Sequence, residues 1–251
     1  MSVRRLRLVQ LYPADMNIYG DHGNRQVLVR RAELFGFEVT TSSFARGDDP
    51  SLLARADLIL GGGGQDSHQR EVAGDLVRVG AAVRELAEAG VPMLLVCGLY
   101  QLFGRSFHTS DGVRLDGIGV FAAETVGGQR RLTGNTCVET EFGRLQGYEN
   151  HAGLTTLDAG QAALGRVVVG DGNNGTDGTE GARAYHVMGT YLHGPVLPLN
   201  PALADELLRL AIGRRYGDEV VTTPDDVAAA HLGRLDSLAA QARAAVAARP
   251  R

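Results

Sequence analysis

Short apolar runs alternate with longer amphipathic stretches along the first part of the chain. The apolar runs are typical of buried strands and lie at 6–11, 37–44, 57–60 and 93–96. Between them, 25–35 and 66–89 have the residue spacing of helices. The second of these helices has an apolar face formed by Leu76, Val79, Val83, Leu86 and Ala87. Apolar strands that alternate with helices predict a doubly wound, mostly parallel α/β sheet covered on both faces.

The pattern changes after residue 111, where glycines and short alternating stretches replace the helical spacing. Stretches such as 132–142 predict β-hairpins added to the main sheet. Cys137 falls in this segment and is expected to be a strand residue. One further strand is predicted at 184–192.

The last part of the chain is predicted to be helical. A helix is expected at 201–214, because a proline opens it and Gly217 lies just past its end. The Ala-rich stretch 225–248 predicts another helix. We therefore expect a domain at 1–216, followed by a helical tail at 217–251 that packs on the domain or on a partner.

Composition argues against several classes of protein. The 25 Lys and Arg residues and 29 Asp and Glu residues give a formal charge of −4, which offers no basic surface for nucleic acid. No stretch approaches the roughly 18 continuous apolar residues of a membrane span. The first residues lead directly into a strand without an apolar signal core, which predicts a cytoplasmic protein. Two cysteines are too few for a disulfide framework.

Cys97 lies where the buried strand at 93–96 meets a helix. In a doubly wound sheet, ligands bind beyond the carboxyl ends of the strands. A thiol at a helix N-terminus has a lowered pKa, and a sharp strand-to-helix turn presents a nucleophile for attack. The alternative is an inert buried cysteine. Gly98 directly after Cys97, and Gln101 one helical turn later, favour the nucleophile.

Four consecutive glycines, Gly61 to Gly64, follow the strand at 57–60. Glycines allow a sharp turn and bring backbone N–H groups close to a ligand. Three interpretations are open: donors to an oxyanion, a phosphate-binding turn, or a flexible loop. The chain contains no lysine, which excludes the P-loop signature.

A cysteine nucleophile needs a nearby imidazole that accepts and returns protons. Among the seven histidines, His193 is the best placed, since it ends the predicted strand region at 184–192 and precedes a Gly-Pro pair. His151, in a predicted loop, is the alternative base. The non-catalytic alternative is that His193 is a surface histidine at the end of a strand.

The segment 95–102, Leu-Val-Cys-Gly-Leu-Tyr-Gln-Leu, resembles the nucleophile elbow of class I glutamine amidotransferases, above all the branch that contains cobyric acid synthase. The resemblance implies a flavodoxin-like fold. No metal site is predicted in this chain. It implies that Cys97 attacks the amide carbon of glutamine and that Gln101 helps to hold the substrate. Two glycines of the family's elbow are replaced here by Leu95 and Leu99.

The same resemblance implies an oxyanion site made of backbone N–H groups. In this chain those donors would lie at Gly62 or Gly63 and at Gly98. Loss of one such donor usually costs about 3 kcal/mol in the transition state.

The segment 189–195, Gly-Thr-Tyr-Leu-His-Gly-Pro, resembles the family's second signature, in which His193 is the base. Most class I members carry a glutamate two residues after that histidine. This chain has Pro195 there. Either Cys97 and His193 act as a dyad, or another group, for example on a partner subunit, supplies the carboxylate.

The segment 147–151, Gly-Tyr-Glu-Asn-His, resembles a signature of the cobyric acid synthase branch that lies near the glutamine pocket. The resemblance places Asn150 among the substrate-binding residues and His151 in the structure of the pocket. Arg131 is the candidate for binding the α-carboxylate of glutamine, because a guanidinium pairs bidentately with a carboxylate. The alternative for Arg131, and for the adjacent Arg130, is a solvent-exposed arginine without a role in substrate binding.

Four segments resemble the GatD family and lie at 11–24, 62–66, 131–135 and 148–151. GatD proteins are the glutaminase subunits of lipid II isoglutaminyl synthase, and their partner MurT is a Mur-ligase-like ATPase. The resemblance implies that ammonia made at Cys97 passes to a MurT-type partner. That partner would hold ATP and Mg and amidate the D-glutamate α-carboxylate of lipid II, so no cofactor is expected in this chain.

Three other functions are open from the sequence. The same site would serve a cobyrinate-type amidation system with a different synthetase. A flavodoxin-like cysteine peptidase or related hydrolase would act on peptides without a partner. A non-catalytic binding module would leave Cys97 unreactive.

Overall fold

The computed structural model describes residues 4–18, 20–217, 220 and 223–249. Tyr19 of the 11–24 segment and parts of the 217–251 tail lie outside the described residues. In chain order the elements are β1 (Arg4–Leu11), α1 (His22–Leu34), β2 (Phe37–Phe44), β3 (Leu58–Gly61), α2 (Asp66–Glu88), β4 (Met93–Val96), α3 (Gly98–Leu102), β5 (Ser106–His108), β6 (Arg114–Asp116), β7 (Ala123–Thr140), β8 (Gly143–Leu157), β9 (Gly165–Val169), β10 (Thr179–Glu180), β11 (Ala182–Ala184), β12 (Val187–Thr190), α4 (Val196–Leu199), α5 (Pro201–Tyr216) and α6 (Asp226–Ala247).

The first sheet has the strand order β11-β12-β4-β3-β1-β2, and all its pairs except β11 with β12 are parallel. Successive side chains of its strands face opposite sides. Leu8 and Leu58 belong to the core that contains α1 and α5, whereas Val9 and Ile59 belong to the core that contains α2. Both faces of the sheet are covered, so the predicted doubly wound α/β class is confirmed.

The apolar runs predict β1, β2, β3 and β4 to within two residues at each end. β3 and β4 are buried along their whole length, whereas the edge strand β2 is buried only at its two ends. The helix expected at 25 begins earlier, at His22. Its polar first turn carries no hydrophobic signal from which the start could be predicted. The helix expected at 66–89 is α2, and Gly90 follows it with a φ of 77°, a left-handed conformation that glycine adopts without strain.

The prediction of one strand at 184–192 is wrong. β11 and β12 run antiparallel and pair Ala184 with Val187, so the chain reverses at Tyr185 and His186. Tyr185 has a φ of 54°, in the left-handed region that favours glycine. Because neither turn residue is a glycine or a proline, the apolar pattern continues through the turn and hides it.

The predicted hairpins form a second sheet, with the order β10-β9-β7-β5-β6 and with β8 paired to β7. β7 and β8 make one long antiparallel hairpin that includes the segment 132–142. Cys137 lies in β7, as expected. A bridge between Tyr148 and His193 joins this hairpin to the end of the first sheet. The β7–β8 hairpin of the second sheet therefore lies next to the carboxyl edge of the first sheet.

The helical tail packs on the domain. α6 lies against α1 and α4, and Arg31 of α1 donates to Asp205 at 2.6 Å and to Asp236 of α6 at 2.8 Å. The domain boundary at residue 216 stays a prediction. In the described part of the chain, no helix has both the length and the apolar character needed to cross a membrane.

Candidate active site

Cys97 forms a sharp turn between β4 and α3. Its φ of 52° and ψ of −104° belong to a region that costs a non-glycine residue about 1–3 kcal/mol. Its N–H donates to the Thr190 carbonyl at 2.8 Å, and its carbonyl accepts from the Gln101 N–H at 2.9 Å. These bonds hold the strained turn in place. The predicted elbow geometry is present, although α3 has only five residues and therefore a small dipole.

The elbow accommodates two leucines where the family has glycines. Leu95 and Leu99 are fully buried. A β-carbon at Gly61 of the neighbouring β3 would lie 2.4 Å from Leu99 Cδ1 and 3.0 Å from Leu95 Cδ2. The missing side chain of Gly61 makes room for both leucines. Bulk on the elbow is thus balanced by a glycine on the adjacent strand.

His193 lies three residues beyond the end of β12, and β12 is the neighbour of β4, the strand that leads to Cys97. The pairing of β12 with β4 places Thr190 beside Val96. The His193 N–H donates to the Tyr148 carbonyl at 2.8 Å, and its carbonyl accepts from the Tyr148 N–H at 3.1 Å. Cys97 and His193 therefore come from the ends of adjacent parallel strands.

The imidazole of His193 is buried and neutral. Burial lowers its pKa to about 3, and the nearby His151 and Arg131 act in the same direction. At neutral pH the ring therefore has a lone pair available to accept a proton.

A narrow cavity of about 60 Å³ opens beside Cys97. Of the predicted site residues, it brings together Cys97, Gln101 and Arg131. Its wall also includes Gly64, Gln69, Phe107, Ser110, Gly127, His151, Ala152 and Gly153. Within the described part of the chain, the remaining predicted residues lie outside this wall: Gly62, Gly63, Gly98, Asn150 and His193.

Gln101 is held by a chain of buried hydrogen bonds. Its Oε1 accepts from Gln69 Nε2 at 2.7 Å, and its Nε2 donates to the Tyr191 hydroxyl at 3.1 Å. The Tyr191 hydroxyl also bonds Thr155 Oγ1 at 2.6 Å. The amide of Gln101 is thus fixed in one orientation beside Cys97.

Arg131 reaches the cavity from β7, and Asn150 of β8 orients it. The guanidinium donates to the Asn150 side-chain oxygen through Nε and to the Asn150 carbonyl at 3.1 Å through Nη2. Asn150 therefore contacts Arg131 instead of the cavity. Its predicted role in substrate binding would act through the position of the guanidinium.

The glycine loop meets a buried carboxyl group. The Gly63 N–H donates to Asp21 Oδ2 at 3.0 Å, and burial raises the pKa of Asp21 to about 6. The Gly62 carbonyl accepts from the Leu99 N–H at 3.3 Å. In this conformation the Gly63 N–H points to Asp21 and not to the cavity, which Gly64 lines instead. An oxyanion role for Gly63 would require this loop to turn.

Gly98 follows the nucleophile where a side chain would not fit. A β-carbon there would lie 2.4 Å from Gln69 Nε2 and 2.7 Å from Met16 Cε. The absence of a side chain lets Gln69 and Met16 pack against the buried backbone beside Cys97. The oxyanion roles of Gly62 and Gly98 stay predictions.

Sequence reasoning missed three buried polar residues at this site, Asp21, Gln69 and Tyr191. A signal existed for each. Asp21 lies in the 11–24 segment, Gln69 lies in the first turn of α2 just after the glycines, and Tyr191 lies in the 189–195 segment. Among the described residues, no group of three or more His, Cys, Asp or Glu side chains is placed to hold a metal ion.

Cys97 lies in a strained turn and the buried His193 follows the adjacent strand, both at the carboxyl edge of a parallel sheet, where α/β enzymes bind their ligands. The CobB/CobQ-like glutamine amidotransferase domain matches residues 7–201. The chain belongs to this family and is a glutamine amidotransferase.

The chain is similar to proteins named lipid II isoglutaminyl synthase (glutamine-hydrolyzing) subunit GatD. The Staphylococcus aureus (strain N315) protein is 36% identical over 201 residues, covering 80% of this chain and 82% of the relative. The Streptococcus pneumoniae (strain ATCC BAA-255 / R6) protein is 35% identical over 219 residues, covering 86% and 84%. The resemblance to GatD proteins inferred from the sequence is confirmed.

Solved structures support the fold. One described as a glutamine amidotransferase has a TM-score of 0.57 at 17% identity and covers 81% of this chain and 98% of its own. A Thermotoga maritima glutamine amidotransferase has a TM-score of 0.52 at 16% identity and covers 93% and 94%. At these identities the likeness concerns the fold alone.

Proposed function

We propose that this chain is the glutaminase subunit of an enzyme that amidates lipid II. It hydrolyses L-glutamine to glutamate and ammonia, and the ammonia passes to a MurT-type ligase partner. That partner uses ATP and Mg to amidate the D-glutamate α-carboxylate in peptidoglycan synthesis. The similarity to two GatD subunits over most of both chains supports the partner and acceptor. The strained Cys97 elbow beside His193 is the observation that carries the chemistry.

In the proposed reaction, Cys97 Sγ attacks the amide carbon of glutamine while His193 takes the thiol proton. Backbone N–H groups of the elbow and the glycine loop stabilise the resulting oxyanion. His193 then returns the proton to the amide nitrogen, the C–N bond breaks, and ammonia leaves. A water molecule gives a proton to His193 and adds to the thioester. The C–S bond then breaks, His193 returns the proton to Sγ, and glutamate is released.

The substrate is held between the two sheets. Arg131 pairs with the α-carboxylate of glutamine, and its bonds to Asn150 fix the orientation of the guanidinium. Gln101, held between Gln69 and Tyr191, contacts the amide end beside Cys97. This arrangement places the reacting carbon at the elbow and the amino-acid end at the hairpin.

The first test measures ammonia release from L-glutamine by the chain alone and by the chain co-expressed with a Mur-ligase-like partner. Cys97→Ser should abolish release in both settings, and Cys137→Ser, a strand residue of β7 away from the elbow, is the matched control. We expect the control to match the wild type. Unchanged release by Cys97→Ser would refute the nucleophile.

A second assay tests the acceptor. The complex is given lipid II, ATP and either glutamine or ammonium, and the amidated product is measured by mass spectrometry. Cys97→Ser should lose glutamine-dependent amidation and keep ammonium-dependent amidation. If glutaminase activity is present but lipid II is never amidated, the acceptor is wrong and the glutaminase assignment stands.

A further inference from the structure

His151 has one ring nitrogen hydrogen-bonded to the backbone and one that makes no hydrogen bond to the part of the chain that the structure describes. The residue lies on β8 and is 2% exposed. Its Nδ1 is 2.7 Å from the Gly153 carbonyl, and because a carbonyl only accepts, Nδ1 carries the proton. Nε2 therefore carries the lone pair. It is buried and has no hydrogen-bond partner among the described residues.

The ring of His151 is held in place and stays neutral. It stacks on Tyr191 with 3.6 Å between the ring centroids and 6° between the planes. Burial lowers the pKa of His151 to about 4, and the charge of Arg131 acts in the same direction. At neutral pH the site thus contains a fixed imidazole that accepts a hydrogen bond and does not take up a proton.

The cavity beside Cys97 needs such an acceptor if it binds an amino acid. His151 and Arg131 both line this cavity, and no described residue of its wall carries a carboxylate. A substrate with an ammonium group would lose water on entry and must find acceptors on the wall. A buried nitrogen with an unused lone pair meets that need.

The positions of Arg131 and His151 indicate that His151 faces the α-ammonium group of the substrate and not its amide end. Arg131 donates to the carbonyl of Asn150, the residue directly before His151. The α-carboxylate and α-ammonium groups of glutamine are attached to the same carbon. A carboxylate bound at Arg131 therefore brings the ammonium group to the neighbouring imidazole.

We propose that His151 Nε2 accepts a hydrogen bond from the α-ammonium group of glutamine and makes the site selective for α-amino acids. The proposal rests on the proposed glutaminase function and adds a specificity residue to it. His151 is assigned to recognition, and His193 to proton transfer.

The test compares two reagents that alkylate Cys97: the chloromethyl ketone analogue of L-glutamine and the same compound without its α-amino group. In both, Sγ displaces chloride as the C–S bond forms. Intact mass gives the rate of labelling for the wild type, for His151→Phe, which keeps a ring against Tyr191, and for His151→Gln, which keeps an acceptor. Iodoacetamide measures the reactivity of the thiol itself.

We expect the wild type to prefer the amino reagent, and His151→Phe to reduce that preference about 10- to 100-fold, the range expected for a hydrogen bond to a charged group. His151→Gln should recover part of it. A folding defect would also change the rate with iodoacetamide, whereas loss of the hydrogen bond changes the ratio of the two ketones and leaves the iodoacetamide rate unchanged. An unchanged ratio in His151→Phe overturns the inference alone. A wild type that iodoacetamide labels but neither ketone does overturns the glutaminase function as well.

Discussion

Two sheets of different kinds meet at the cavity beside Cys97. We call each sheet, together with the residues that follow its strands, a wall, although His193 itself does not line the cavity. Cys97 and His193 follow strands of the parallel sheet, which are buried on both faces, and backbone bonds to Thr190 and Tyr148 fix them. Arg131 and His151 come from the β7–β8 hairpin, in which buried and exposed positions alternate. The first wall carries the reacting groups, and the second carries the groups proposed to hold the substrate. Changes to the first should lower kcat, and changes to the second should raise KM.

The largest effect is expected on the first wall. His193→Ala should lower kcat for ammonia release about 1000-fold, since it removes the proposed base, while KM changes little. Steady-state kinetics measures both constants. His186→Ala is the matched control, because His186 bonds the Gly90 carbonyl at 3.1 Å and has no role in the proposed reaction. A kcat within a few-fold of the wild type in His193→Ala would move the base to another residue.

The pKa of His193 adds a prediction on pH. Because burial and the nearby His151 and Arg131 hold that pKa at about 3, the ring stays neutral from pH 8 down to pH 5. We therefore expect that kcat/KM does not fall near pH 6.5, where a histidine with an ordinary pKa would become protonated. A loss of activity at that pH that is absent from the His151→Phe variant would assign the titration to the second wall.

Glu180 joins the walls and should give the next largest effect. It lies on β10, is fully buried, and accepts from the Tyr191 N–H at 2.7 Å and from Thr190 Oγ1 at 2.9 Å. Burial raises its pKa from 4.5 to about 7, with the charge of Glu149 adding to the rise. The folded protein thus holds this proton more tightly than the unfolded chain does.

The sign of the effect follows from that difference. The stability linked to Glu180 is fully present below pH 4.5 and is lost as the pH rises through 7, by at most about 3 kcal/mol. Glu180→Gln keeps an acceptor and removes the titration. Urea unfolding at pH 5 and pH 8 should show a smaller loss of stability in Glu180→Gln than in the wild type. Equal losses would mean that Glu180 titrates normally.

A smaller effect is expected from the substrate wall. Arg131→Ala should raise KM for glutamine about 10- to 100-fold with little change in kcat, because it removes a charge-assisted pair made in the ground state and the transition state alike. Arg130→Ala is the matched control: Arg130 is adjacent, 77% exposed, and paired with Asp171 at 3.5 Å. Equal effects of both changes would point to general electrostatics in place of a specific carboxylate site.

The strand and the turn at Cys97 could be predicted from the sequence, whereas the strand before His193 and the second wall could be predicted only in part. A strand that is apolar along its length and ends in Cys-Gly predicts both the parallel sheet and the elbow. Burial of a strand and the geometry of a tight turn both depend on residues that are adjacent in the sequence. The hairpin pattern was also visible. Its position over the first sheet was not, since the bridge between Tyr148 and His193 joins residues far apart in the chain.

Contacts across the fold explain the other differences. The bond from Gly63 to Asp21 crosses 42 positions and turns a predicted oxyanion donor away from the cavity. Tyr185 reverses the chain with a φ of 54° although nothing in its residue type favours a turn. Gln69 is buried in the first turn of a helix, where polar residues are usually solvated. None of these features has a period that a sequence pattern could reveal.

Tyr191 links the two walls and should give the smallest effect. Its hydroxyl bonds Gln101 Nε2 on the side of the elbow and Thr155 Oγ1 on β8, and its ring supports His151. Tyr191→Phe keeps the ring and leaves buried polar partners without the hydroxyl, so we expect a loss of about 1–3 kcal/mol of stability. With the amide of Gln101 freed, KM and kcat should both change by only a few-fold, measured beside urea unfolding. If instead kcat alone fell by orders of magnitude, the Tyr191 hydroxyl would take part in the reaction. The assignment of catalysis to the first wall and of substrate binding to the second would then not hold.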